Sequence, residues 1–183
     1  MFQAIWPETV WSELPQRFPA WRDSAQQTVA HLATDLFAWR SPSVQRIRSH
    51  FHLAPGTEAF AVSAMPGSHP IEVHAARVVD TRHWSVTYLW GFGRQEPAAA
   101  VSIAAHKADV TVDYWGRSRA ATLLLHYGSR RLQKTSTRAA SWSLPIDFPI
   151  NVTGAVIVLF RDTTGAVYTG WGTPLPAGPF AAG

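Results

Sequence analysis

His50 and His52 sit two residues apart with Phe51 between them. On a strand that spacing puts both imidazoles on one face, as a pair of metal ligands would be. His74 shares a strand face with Glu72 in the same way. An imidazole–imidazole–carboxylate set drawn from His50, His52, His74 and Glu72 could hold a metal if the two strands adjoined. No glycine-framed motif surrounds them, so the default reading is of satisfied or surface histidines, His83, His106 and His126 included. Neither a metal nor a cofactor is expected.

Nucleophilic chemistry finds little support. No serine stands in a Gly-x-Ser-x-Gly elbow. There is no cysteine, which removes thiolate nucleophiles, thiolate metal sites and disulfides, and leaves the compartment undetermined. Glu72, Asp80, Asp109, Asp113, Asp147 and Asp162 could supply a carboxylate pair. Glycoside hydrolysis needs two such groups facing one cleft. Most of these acids stand beside turns, and Asp147 and Asp162 read as turn caps. Phosphate-loop and dinucleotide fingerprints are missing. The residues lean towards a protein that is not an enzyme.

Charge offers a different chemistry. The net charge is +4, from sixteen Lys or Arg against twelve Asp or Glu, which mildly favours anionic partners. Arg117, Arg119, Arg130, Arg131, Lys134 and Arg138 follow one another with no acid between them. Tyr114, Trp115, Tyr127 and Trp142 flank this stretch. Cations interleaved with aromatics are how a non-specific binder tracks phosphates and stacks bases. A solvated basic edge would look the same.

Aromatics offer a third. Nine tryptophans are many for 183 residues, so one or more at the surface is expected. A sugar ring has an apolar face and a hydroxyl rim, and a sugar site needs exposed aromatic planes with polar neighbours. Trp84, Trp90, Trp115, Trp142, Tyr168 and Trp171 are available. Tryptophan on an alternating strand also serves as core.

The elements that must position these groups are mostly strands. Residues 1–20 form an arm rich in proline and aromatics, with Trp6 and Trp11 placed to tie it down. Val29, Leu32, Ala33, Leu36 and Phe37 make an apolar stripe, which predicts a docked helix from about Trp21 to Trp39. Alternation predicts strands over residues 46–53, 58–64, 71–79, 84–92, 99–105 and 110–115. On the fourth of these, Trp84, Val86, Tyr88 and Trp90 should share one face. Further strands are expected over 122–127, 140–144, 155–160 and 166–171, with a hairpin turn at Asp162–Gly165. About ten short strands with frequent turns read as an all-β, mainly antiparallel sandwich with one N-terminal helix. The expected layout is an arm at 1–20, a helix at 21–41, a sandwich at 42–172 and a tail at 173–183. No stretch is apolar for long enough to span a membrane, and no signal peptide is read at the N-terminus.

The order ADVTVDYWG, ATLLLHYGS, SWSLP and AVIVLFRDTTGAVYTGWG, over residues 108–172, resembles the small immunoglobulin-like modules that bind starch and related glucans. His126–Tyr127–Gly128 and the Phe160–Gly165 hairpin are the matching residues. The resemblance implies that His126 and Trp142 face a sugar. Where the family continues Trp-Asp-Asn-Asn, this chain has Val167–Tyr168–Thr169–Gly170–Trp171. The leading expectation is a non-catalytic carbohydrate-binding module using Trp115, His126, Tyr127, Trp142, Tyr168 and Trp171. Two alternatives stay open: a structural or assembly protein (a coat, tail, toxin or secretion-system component) that uses its N-terminal arm to meet another protein or a further copy of itself, and a polyanion or nucleic-acid binder acting through Arg117–Arg138.

Overall fold

The alternation of Ile71, Val73 and Ala75 with Glu72 and His74 sets one face of a strand against a core. That strand lies within a much larger sheet. The computed structural model describes residues 4–7, 19–91, 99–104, 107–112, 118–127, 130–137, 140–145 and 154–175. Eleven strands occur among them: β1 (Ser43–Ile47), β2 (Thr57–Ser63), β3 (Ile71–Arg77), β4 (Trp84–Gly91), β5 (Ala99–Ala104), β6 (Lys107–Val112), β7 (Ala120–Tyr127), β8 (Arg130–Ser136), β9 (Ala140–Pro145), β10 (Gly154–Arg161) and β11 (Val167–Leu175). Eight form one sheet in the order β1-β2-β3-β4-β11-β10-β7-β8, and β5-β6-β9 form a second. Their pairings are antiparallel. The protein is an all-β antiparallel sandwich with one helix docked on it, an architecture consistent with the immunoglobulin-like superfamily.

Strand β10 is the centre of the sandwich, and GAVIVLF is buried along its whole length. Ala155, Ile157 and Leu159 join the core under the helix. Val156, Val158 and Phe160 join a second core with Leu123, Leu125 and Val110. A strand covered on both faces reads as a continuous apolar run, as this one does. The β10–β11 hairpin closes at the expected turn. Asp162 Oδ1 accepts from Thr164 N at 2.8 Å, and Gly165 takes φ +81°, a region that disfavours a side chain.

Helix α1 (Ala25–Asp35) follows a 3-10 turn at Ala20–Asp23. It is shorter than the Trp21–Trp39 expected. The Ser24 hydroxyl caps its start by accepting from Gln27 N. Beyond Leu36 the chain turns through Ala38 at φ 58°, and the Trp39 indole donates to Val167 O at 2.7 Å. Val29, Leu32 and Ala33 dock on Phe60, Val62, Val73 and Leu89 of the sheet. The arm also docks where it is described. Ile5 N donates to Val86 O, and Val86 N to Trp6 O, each at 2.7 Å. Trp6 stacks on Trp21 at 5.2 Å, and Trp21 on His31 at 4.4 Å.

Three expectations change. The first strand is Ser43–Ile47, not 46–53. Val44 pairs with Val62 and packs on the helix-side core, and that burial sets the register. No strand is expected over residues 130–136, yet β8 pairs there along β7. The pleat of β4 is broken by a bulge. His74 pairs with Tyr88 but Ala75 with Val86, so Thr87 is an extra residue. Val86 and Leu89 therefore both enter the helix-side core, while Tyr88 and Trp90 stand on the opposite face. The expected single face of Trp84, Val86, Tyr88 and Trp90 does not form.

Candidate ligand-binding surface

The bulge at Thr87 positions the site. Opposite the helix-side core, β3 presents Glu72 and His74, and β4 presents Tyr88 and Trp90. The register sets Glu72 beside Trp90 and His74 beside Tyr88. The Thr87 hydroxyl donates to the His74 carbonyl at the bulge. Between β1 and β2 the chain leaves the ladder, and this segment, residues 48–54, folds onto the same face. It brings Ser49 over Glu72 and Phe51 over the aromatic rings.

The polar floor is a three-residue cluster. Glu72 is fully buried and His74 nearly so. His74 Nε2 lies 2.6 Å from Glu72 Oε1, and the Ser49 hydroxyl donates to that same oxygen. Ser49 Oγ also accepts from Phe51 N at 2.9 Å and lies 3.3 Å from His74 Nε2. Glu72 Oε2 is buried and has no hydrogen-bond partner among the described residues. Such an atom calls for an explanation, since burying an unpaired acceptor is costly.

Ser49, His74 and Glu72 are the residue types of a hydrolase triad, but their geometry is different. In a triad the base meets the serine with one ring nitrogen and the acid with the other. Here Nε2 meets both, and as donor to Glu72 it cannot accept the serine proton. The cluster instead holds a buried carboxylate and fixes the segment above it.

Over this floor lies an exposed aromatic cluster. Phe51 is 41% exposed. Its ring meets His74, Tyr88 and Trp90 edge-on, at centroid separations of 5.7, 5.7 and 5.1 Å. Tyr88 and Trp90 are half-buried. Burial of the Tyr88 ring, and then the negative charge of Glu72, push its phenol above the ordinary 10.0. A cleft of about 460 Å³ runs along residues 47–53, with His50 and His52 exposed beside Phe51.

The residues singled out in the sequence are placed as follows. His50 and His52 lie in the segment after β1, and His74 on β3. Among the described residues no group of three or more histidines and acids could hold a metal ion, so these three do not converge on one. Trp142, Tyr168 and Trp171 pack partly buried against the second core, between the sheets. His126 is on the opposite face of the large sheet, because its cross-strand partner Ala155 is in the helix-side core. His126 and Trp142 are thus separated by the sheet. Tyr127 of β7 pairs with Arg130 of β8. Arg119, Arg131 and Lys134 are exposed. Arg131 pairs with His126 and Lys134 with Leu123, so these two basic residues lie on opposite faces of β8. Trp115, Arg117 and Arg138 lie outside the described residues.

Sequence reasoning passed over Ser49 and Phe51 as parts of a site, and Glu72 as its floor. The Glu72–His74 spacing on one strand was the available signal. No helix among the described residues is long and apolar enough to cross a membrane. No protein family, curated protein or solved structure matches this chain.

Proposed function

We propose that the protein is a non-catalytic binding module and that its ligand is a carbohydrate, taken over Tyr88 and Trp90 at the place where the Phe51 ring rests. The observation that carries this reading is the exposed Phe51 ring seated edge-on against three other rings. Aromatic planes at the surface suit the apolar face of a sugar, and polar neighbours suit its hydroxyls. Arg48, His50 and His52, along the cleft, supply that rim. The Ser49–His74–Glu72 arrangement supports binding over turnover, since it offers no base to the serine. The resemblance of residues 108–172 to glucan-binding modules supports the ligand class but not the position. The residues it singles out, His126 and Trp142, lie on opposite faces of the sheet.

Calorimetric titration with maltoheptaose, cellohexaose and mannohexaose tests this, with heparin and single-stranded DNA as polyanion controls. Saturable binding of one neutral oligosaccharide, lost in Trp90→Ala and kept in Trp142→Ala, is expected. No binding of any of the three, or a loss confined to Trp142→Ala, overturns the assignment. A response to polyanions alone would move the reading to the basic stretch Arg117–Arg138.

A further inference from the structure

We infer that Phe51 sits where the sugar binds, and that displacing it opens Glu72 as the hydroxyl acceptor that restricts the site to neutral sugars. This rests on the carbohydrate reading above and names the ligand class of that same surface. Glu72 carries the inference. Its side chain is fully buried, its Oε1 already takes Ser49 and His74, and its Oε2 has no hydrogen-bond partner among the described residues. A buried acceptor without a donor is a group a ligand can satisfy.

Two residues of the segment that leaves the ladder lie over this floor. Ser49 ties the segment to Glu72, and the Phe51 ring rests on His74, Tyr88 and Trp90. Phe51 stays 41% exposed there, so its hold on the sheet is partial. The apolar face of a pyranose can replace a phenyl ring on Tyr88 and Trp90, and its hydroxyls can donate to Glu72, which a phenyl ring cannot. A carboxylate also discriminates. A uronic acid or sulfated sugar would bring like charge against Glu72, whose described hydrogen-bond partners are a hydroxyl and an imidazole.

The test is calorimetry with maltoheptaose, cellohexaose, mannohexaose and an oligogalacturonate, on the full chain and on Phe51→Ala, Glu72→Gln and Trp90→Ala. Phe51→Ala is expected to bind the preferred neutral sugar about threefold or more tighter, because the closed state no longer competes. Glu72→Gln is expected to weaken that sugar about tenfold, as loss of a hydrogen bond to a charged group does. It should also narrow the gap to the oligogalacturonate. If Phe51→Ala binds no tighter than the full chain while Trp90→Ala abolishes binding, the inference fails and the carbohydrate reading stands. If neither the full chain nor Phe51→Ala binds any of the four sugars, both fail. Should Glu72→Gln not fold, Phe51→Ala, an exposed position, decides alone.

Discussion

His74 Nε2 stands 2.6 Å from Glu72 Oε1, two positions apart on one strand face, and both side chains are buried. Removing one partner leaves the carboxylate poorly satisfied. His74→Ala is expected to cost about 3 kcal/mol, towards the lower end for a broken buried pair, because Ser49 still donates. Ser49→Ala should cost about 1 kcal/mol. The two losses should not add, since both residues serve one oxygen. Urea unfolding of the two variants and their double mutant measures this. Simple additivity would contradict the shared-acceptor geometry.

The Tyr88 phenol titrates above its ordinary 10.0 in the folded protein. Between the ordinary value and the raised one, the native state keeps a proton that the unfolded state has lost. The contribution of this group is complete below about pH 10 and is lost as pH rises beyond it. Wild type is therefore expected to lose stability faster above that pH than Tyr88→Phe. Denaturant midpoints compared over the alkaline range check it. Equal slopes would mean that Tyr88 is not held protonated by its surroundings.

Gly170 of β11 lies close against the Phe37 ring. A Cβ there would lie 2.9 Å from Phe37 Cζ and 3.2 Å from Cε1, and Phe37 is buried. Gly170→Ala is expected to destabilise by about 1–3 kcal/mol through overpacking. Phe37→Leu in the same chain should relieve part of that clash, so the double mutant should lose less than the sum. Thermal unfolding of the set would show it. A fully additive pair would place the cost elsewhere.

Much of the sandwich was legible in the sequence because burial writes itself into period-two patterns. Ile71, Val73 and Ala75 alternate because one face of β3 meets the helix. Residues 155–160 do not alternate because both faces of β10 are covered. Strand β8 was hidden for the opposite reason. It is an edge strand, and RRLQKTS has one apolar residue, Leu132, to mark a face. The candidate site was hidden twice over. An extra residue at Thr87 reverses the pleat midway along β4, and no residue type announces a bulge. Ser49 then reaches Glu72 from 23 residues away, through a segment that lies outside the ladder.

The basic stretch yields a separate expectation. Arg131 and Lys134 face opposite sides of β8, so one flat polyanion cannot meet both from one face. Arg131→Ala and Lys134→Ala should each lower retention on heparin only slightly, and neither should change affinity for a neutral sugar. A collapse of heparin retention in either single variant would instead identify a localised anion site.

The central claim, that ligand is taken over β3 and β4, is tested most directly by amide hydrogen exchange with and without a saturating neutral oligosaccharide. Added protection is expected in residues 86–91 and a changed exchange pattern in residues 48–54, with residues 140–145 unaffected. Protection centred on residues 140–145 and 168–171, with none over residues 86–91, would place the ligand at Trp142 and Trp171 and contradict the claim.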